Sequence, residues 1–431
     1  MGFHTAGSID SRLGRLDELA AMAATVRLAP ESSDSGGAAI RRRPEQTFAA
    51  VEPFLKSLGI TRVGDLTALD TIGIPVWFAC RPNSKSLAVS QGKGLRHSDA
   101  RVGAVMEAVE DALAESPKAS VTRHASWEAL QSRHRVIPFE KIARCSISSL
   151  DPRAERAWVP GISLSDGETV FAPFELVGLD FSTRSPWDHS AFRMSSIGLA
   201  AGETLCDAIV HGLLEIVEHA ATTCFEIFGA NPAFARPISF RPGDFDLLDE
   251  AIRRVRAAGV DPIFVDLTRD TGIPVVGAFV ELPSIEPGGR AGSIYSAGFA
   301  ARLSLAEAAL SALLEAAQTR LTDIAGARDD IRPEDYRVRT PGIAQLCRQP
   351  AETPAVPRSR LSSEAQLGQL LGALDSSGIH EFFVFPFDVG EMSLRSVRVI
   401  GSACEAPGDG HVSVLSGSTL DTILRCGTDS I

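Results

Sequence analysis

Apolar residues recur at helical spacing in three long stretches of this chain, and paired acidic or amide side chains interrupt each one. The first, about Ser98 to Glu115, sets Glu107 and Glu110 among Val102, Val105, Met106, Val109 and Leu113. The second, roughly Thr204 to Phe228, sets Glu215 and Glu218 among Ile209, Val210, Leu213, Leu214, Ile216 and Val217. The third, Ser304–Ala325, sets Glu315 and Gln318 among Leu310, Leu313, Leu314 and Leu321. A separation of three residues puts both members of a pair on one face of a helix. Apolar residues occupy nearly every other face, so these helices are expected to be mostly buried.

Shorter elements fill the intervals. Phe48, Val51, Phe54, Leu55 and Leu58 predict an amphipathic helix from Glu45 that stops at Gly59. Val76–Cys80 reads as a strand, Leu87–Ser90 as another, and Gly92-Lys93-Gly94 as a turn before the N-cap Ser98. Downstream, a helix is expected over Phe245–Ala258, then strands over Pro262–Asp266 and Val275–Glu281 around a turn at Asp270-Thr271-Gly272. A helix at Glu364–Asp375 and a strand at Glu381–Phe387 follow. Ahead of Glu45, a weak helical pattern at Leu13, Leu16, Leu19 and Met22 gives way to a loop over Glu31–Gly37. Helices and β-rich runs alternate throughout, which predicts an α/β or α+β fold with mixed sheets.

Composition narrows the function classes. The chain has 431 residues, 44% hydrophobic and 22% charged, ordinary values for a folded protein. With 42 Lys+Arg against 54 Asp+Glu its net charge is −12, the wrong sign for a protein held to nucleic acid by its own surface charge. The run Arg41-Arg42-Arg43 is too short to change that. No stretch approaches a membrane span, and the first residues lack the layout of a secretion signal, so a cytoplasmic location is expected. Seven cysteines, scattered and without a C-x-x-C pair, fit reduced thiols better than a disulfide frame or a zinc site.

The carboxylate pairs carry the candidate chemistry. Burying an ionised carboxylate costs several kcal/mol unless something compensates, and clustered carboxylates repel one another. A divalent cation removes both problems, and magnesium favours carboxylate together with phosphate oxygens. Spacing leaves two readings open: a solvated charged face, or a magnesium–phosphate site. No G-x-x-x-x-G-K-[ST] sequence occurs, and Gly92-Lys93-Gly94 is not a dinucleotide fingerprint. His211, one turn before Glu215, reads as a core residue or as a support for neighbouring ligands rather than as a metal ligand itself, and His97 as solvent-facing. Arg328-Asp329-Asp330 reads as an ion-paired cap behind the third long helix.

Taken in order, several segments resemble the YcaO family. They are Ser90-Gln91-Gly92-Lys93-Gly94 with Glu107 and Glu110; Gly198-Leu199-Ala200-Ala201-Gly202 with His211-Gly212-Leu213-Leu214-Glu215 and Glu218; and Leu314-Glu315-Ala316-Ala317-Gln318-Thr319-Arg320 leading to Arg328-Asp329-Asp330. Pro262–Asp266 and Gly272–Val276 look like the branch of that family encoded with a TfuA partner. The resemblance spans about residues 75 to 405. It implies a YcaO domain over 76–405, an N-terminal extension over 1–75 suited to peptide or partner contact, and a tail over 406–431.

The resemblance also implies an ATP- and Mg2+-dependent enzyme that phosphorylates a peptide backbone amide oxygen and lets a nucleophile replace it. Thioamide formation with a precursor peptide and a TfuA-like protein is the leading expectation. The alternatives are an azoline-forming cyclodehydratase or a non-catalytic nucleotide- and peptide-binding scaffold. A second copy of the chain is allowed as a partner. By the resemblance, Glu107, Glu110, Glu203, Asp207, Glu215 and Glu218 face metal. Lys93, Glu315, Gln318 and Arg320 join them around the nucleotide, and no residue is assigned as the catalytic base.

Departures from the family pattern are specific. Arginine usually follows the last glutamate of each pair, where this chain has Asp111 and His219, and usually stands four residues before Glu315, where Ser311 stands. Glu203 and Asp207 replace an Asn and a Glu but still offer oxygen. The ending Arg425-Cys426-Gly427-Thr428-Asp429-Ser430-Ile431 lacks the proline-rich terminus of azoline-forming members, which favours thioamide chemistry.

Overall fold

The computed structural model describes residues 14–24, 42–116, 120–139, 150–182, 186–192, 194–229, 231, 234–285, 291–326, 328 and 361–401. Helices among them are α1 (residues 14–24), α2 (Pro44–Val51), α3 (His97–Ala114), α4 (Trp127–Gln131), α5 (Phe174–Val177), α6 (Leu205–Phe228), α7 (Asp246–Ala257), α8 (Leu305–Ala325) and α9 (Ser363–Ser376). Strands are β1 (Arg62–Asp65), β2 (Val76–Cys80), β3 (Val89–Lys93), β4 (Arg123–Ser126), β5 (Glu155–Ser163), β6 (Thr169–Pro173) and β7 (Leu199–Gly202). The remainder are β8 (Arg236–Ile238), β9 (Pro262–Asp266), β10 (Val275–Ile285), β11 (Ala291–Ala301), β12 (Phe382–Pro386) and β13 (Arg395–Gly401).

The chain alternates between two compact units. One takes Met1–Arg41, Glu110–Ala220 and Arg360–Ile431; the other takes Arg42–Val109 and Ala221–Ser359. Both are α+β, as expected. Their described ladders run antiparallel, and the parallel component is an isolated bridge between Val136 and Phe171.

The first unit is built on a six-stranded sheet ordered β4-β5-β12-β13-β7, with β6 paired to β5. Phe382, Phe383 and Phe385 on β12 are fully buried, as is Trp158 on β5. Phe139 packs on Trp158 and Phe192 with ring centroids 6.4 and 5.4 Å away. Ile209, Leu213 and Ile216 on α6 are wholly buried, as its apolar run requires. Strand β7 is an edge of this sheet.

The second unit carries a three-stranded sheet, β1-β2-β3, and a four-stranded sheet, β11-β10-β9-β8. Its core joins Leu248, Ala251 and Val255 of α7 with Ala308, Ala309, Ala312, Leu313 and Ala316 of α8 and with Phe264, Val276 and Ala278 of the sheet. Small side chains along α8 are what let a helix lie close on β10 and β11.

The long helices start and stop within a residue or two of expectation, the normal scatter of helix ends. Two local expectations are corrected. The helix from Glu45 ends at Val51 rather than running to Gly59, and a 3-10 turn over Glu52–Phe54 follows. Pro53 explains this, since proline lacks the N–H that would continue the α-helix. Gly92-Lys93 is not a turn but the end of β3, paired with Val76 and Trp77. The expected loop at Glu31–Gly37 and the tail over 406–431 lie outside the described residues.

Candidate functional site

In the second unit, β3 is an edge strand, so the outward N–H of Gln91 has no neighbouring strand to serve. Glu107 of α3 takes it instead, its Oε2 accepting at 3.1 Å. Gly92 permits the close helix. A Cβ there would lie 2.1 Å from the nitrogen of Ala104 and 2.2 Å from the carbonyl oxygen of Ala100. Two residues along the strand from Gln91, Lys93 places Nζ 2.6 Å from Glu315 Oε2 on α8. The Gln91 carboxamide oxygen accepts the Thr322 hydroxyl, tying the same strand to the C-terminal half of α8.

Glu107 is half-buried, and burial raises its carboxyl above the usual carboxylate range. The Gln91 N–H pulls it back, followed by the charges of Arg328 and Lys93, while Glu315 pushes it up. Gln318 is half-buried, three residues beyond Glu315. Arg320 donates from Nε to Asp70 at 2.8 Å, so its guanidinium anchors α8 to the loop before β2. Its buried Nη1 and the Gln91 Nε2 have no hydrogen-bond partner among the described residues.

The first unit shows a parallel arrangement. Glu110, at the C-terminal half of α3, accepts the Ala201 N–H of β7 at 2.7 Å. Glu215 of α6 accepts the Gly198 N–H at 2.9 Å. Two acidic side chains from different helices therefore converge on one backbone segment at the sheet edge, by hydrogen bonds of the stronger, charged kind. Gly198 holds a left-handed backbone at φ 81°, and a Cβ would lie 2.2 Å from the Val399 carbonyl oxygen. Only glycine fits there.

The remaining candidates take varied positions. Asp207 belongs to the N-terminal cap of α6: Thr204 donates its N–H and hydroxyl to Oδ2 at 3.2 and 2.8 Å, and Ser363 donates to Oδ1 at 2.5 Å. Glu203 and Glu218 are half-buried. Asp111 is buried, Ser311 is half-buried, and His219 sets Nε2 4.0 Å from Glu215 Oε1. His211 is exposed, which corrects the core alternative of its reading. Burial, with Glu364 and Asp207 nearby, pushes the Cys206 thiol up to about 11, so it is not a ready nucleophile.

One buried charged group escaped sequence reasoning. Arg156 and Glu175 are each 3% exposed and lie 3.6 Å apart. Arg156 also donates to Asp188 at 2.8 Å and stacks 5.0 Å from the Phe192 ring centroid. The available signal was a lone glutamate in the apolar run from Val170 to Val177.

These donors suit magnesium and phosphate. They are carboxylate oxygens accompanied by lysine and arginine, with no soft ligand among them. Among the described residues no group of three or more His, Cys, Asp or Glu forms a ready metal cage. Magnesium commonly takes one or two carboxylates and completes its shell with phosphate and water, so the residues fit a metal that arrives with a nucleotide.

The comparisons agree with this chemistry. Residues 91–403 match the family model described as "YcaO cyclodehydratase, ATP-ad Mg2+-binding". A protein from the tfuA 3′ region of Rhizobium leguminosarum bv. trifolii is 35% identical over 396 residues, 88% of this chain and 92% of its own. A Methanothermobacter thermautotrophicus protein is 33% identical over 303 residues, 68% of this chain and 74% of its own. Among solved structures, YcaO from Methanopyrus kandleri bound with AMPPCP and Mg2+ has a TM-score of 0.64 at 22% identity, over 84% of this chain and 92% of that one. A heterocyclase in complex with substrate and cofactor has a TM-score of 0.70 at 20% identity, over 90% of this chain and 55% of that one. A matched region well over half the chain, and a relative this similar over nearly its whole length, show that the chain belongs to the YcaO family.

Proposed function

We propose that the protein uses ATP and Mg2+ to activate a peptide backbone amide and that the product is a thioamide, made on a precursor peptide with a TfuA-like partner. The observation that carries this reading is the anchoring of Glu107 and Glu110 on edge-strand amides and of Glu215 on the amide just ahead of β7, with Lys93 on Glu315. Carboxylates held this way are aimed before any ligand arrives and could hold magnesium, whose charge would neutralise a polyphosphate. The relative from the tfuA 3′ region supports the choice of partner.

In this reading Glu110, Glu203, Glu215 and Glu218 of the first unit and Glu107 of the second face metal. Lys93, Glu315, Gln318 and Arg320 serve the nucleotide side, and Asp207 keeps the first turn of α6 in place for its neighbours. Mg-ATP supplies the phosphoryl group that turns the amide oxygen into a leaving group. A sulfur donor then adds at the amide carbon, and the former amide oxygen departs with the phosphate. No described helix is long and apolar enough to cross a membrane, and the reading places the reaction in the cytoplasm, where ATP is available.

The test is ATP consumption with a neighbouring-gene peptide, read with the peptide's mass: a gain of about 16 Da for oxygen-to-sulfur exchange, a loss of about 18 Da for cyclodehydration. Absence of nucleotide turnover with every such peptide sinks the reading. The buried Asp111 and the short Ser311 favour one second reading, a binding scaffold, because neither can clamp phosphate as a guanidinium does. Calorimetry showing Mg-ATP binding without hydrolysis selects it.

A further inference from the structure

Arg101, on α3 of the second unit, carries a charge that its surroundings do not balance. Its guanidinium carbon lies 3.5 Å from the ring centroid of Phe48 on α2 and 5.8 Å from that of Trp77 on β2. The side chain is half-buried, its Nε is fully buried, and among the described residues it has no hydrogen bond and no ion pair. Arg156, Arg320 and Arg254, by contrast, each hold a carboxylate: Asp188 at 2.8 Å, Asp70 at 2.8 Å, and Glu250.

The acids of this neighbourhood are engaged elsewhere. Asp99, two residues back on α3, lies 3.2 Å from Arg96 Nε. Asp65 accepts the Thr67 N–H at 2.9 Å and lies 3.4 Å from Nδ1 of His97, the ring nitrogen that takes the Trp77 indole N–H at 3.1 Å. A partly desolvated guanidinium without a partner is costly, and stacking on an aromatic face offsets part of that cost. The stack also holds the fork still, so little side-chain freedom is lost when a ligand arrives. Unlike Nε, neither Nη atom is sealed from solvent, so the end of the fork can take both oxygens of a carboxylate.

The charge balance favours a carboxylate over a polyphosphate. One arginine neutralises one negative charge, and Asp65 and Asp99 already make the surroundings unfavourable to a multiply charged anion. Glu107, six residues further along α3, is about 9 Å away along the axis and about 120° around it, so Arg101 stands apart from the metal-facing carboxylate. We propose that Arg101, between Phe48 and Trp77, is the seat of an aspartate or glutamate side chain of the bound peptide. The proposal takes from the preceding reading only that the substrate is a peptide.

Fluorescence anisotropy on the full chain at low ionic strength tests it, with a labelled peptide of alternating glutamate and glycine as the probe. The same peptide with glutamine for glutamate, free glutarate and inorganic triphosphate are the comparison ligands. R101M, which keeps an apolar stem over Phe48 and drops the charge, is expected to raise Kd for the acidic peptide by about tenfold or more, and R101K by about threefold or more. R253A, which removes an exposed arginine of α7, is expected to leave Kd within about twofold. Trp77→Phe is expected to abolish the change in tryptophan emission on peptide addition, which places the peptide at this seat. The proposal is overturned if the acidic peptide does not bind, if the glutamine peptide binds as well, or if R101M binds as the parent does. It is equally overturned if triphosphate or glutarate displaces the peptide at matching concentration, since the seat would then serve a phosphate or a free acid. Should R101M melt early, R101K, which keeps a cation over Phe48, carries the readout. ATP turnover is measured separately, so the catalytic reading can fail while this binding stands, and the reverse.

Discussion

Glu215 accepts the backbone N–H of Gly198 at 2.9 Å across 17 residues of sequence, so a helix carboxylate is fixed by the turn that leads into β7, just ahead of its own helix. This bond aims the side chain before any ligand binds. Glu215→Ala is expected to lower Mg-ATP turnover by about a hundredfold or more, the scale seen when a preorganised charge-stabilising group is lost. Steady-state phosphate release checks it, with circular dichroism to show that the fold survives.

Gly198→Ala should act through the fold rather than through charge. A side chain at φ 81° is strained, and its Cβ would press on the Val399 carbonyl oxygen at 2.2 Å. A destabilisation of about 3 kcal/mol or more is expected. Urea unfolding, read at constant slope, measures it.

Arg156→Ala would leave Glu175 buried beside a missing cation. The expected loss is about 3–5 kcal/mol, because the change also takes the partner of Asp188 and the contact with Phe192, whereas loss of the Glu175 charge alone leaves Arg156 paired with Asp188. A shift in the denaturation midpoint of that size confirms it, and a change below one kcal/mol, roughly, would show that solvent reaches the pair.

Glu175→Gln has the opposite sign, and the effect depends on pH. Burial holds the Glu175 carboxyl above its ordinary range, with Arg156 and the Asp188 N–H only partly offsetting it. The folded state therefore keeps a proton that the unfolded chain has already lost. Stability falls as pH rises from the ordinary carboxylate range through the raised value, and the cost persists above it. At neutral pH the glutamine variant should melt higher than the parent. Its advantage should shrink as pH is lowered through the ordinary carboxylate range, in paired thermal melts.

Chelating magnesium should abolish nucleotide binding without lowering the melting temperature of the ligand-free protein. Glu107, Glu110 and Glu215 already have amide partners, so the fold does not depend on a metal to hold them. A large drop in melting temperature with EDTA alone would mean that a resident ion supports the structure.

Much of this was legible in the residues. The runs around Glu107, Glu215 and Glu315 carry a strong helical period, and α3, α6 and α8 formed where that period lies. Local chemistry was read less well. Gly92-Lys93 looked like a turn because glycine usually breaks a strand, but here it makes room for α3. What the glutamates bond to was illegible, since the Gln91 and Ala201 amides are backbone groups that any sequence would supply. Lys93 meeting Glu315, 222 residues away, is a product of tertiary pairing with no local signal. His211 misled because an apolar neighbourhood in sequence does not say which face of α6 a residue occupies.

An edge strand ordinarily offers its outward amides to any extended chain that drifts past, which is how sheets grow into aggregates. On β7 the Ala201 amide is covered by Glu110, and the adjoining Gly198 amide by Glu215. Negative charge along that rim discourages an incoming strand as well. The bonds that aim these carboxylates thus also close the sheet to self-association, and a variant lacking both would be exposed to clumping as well as to loss of chemistry.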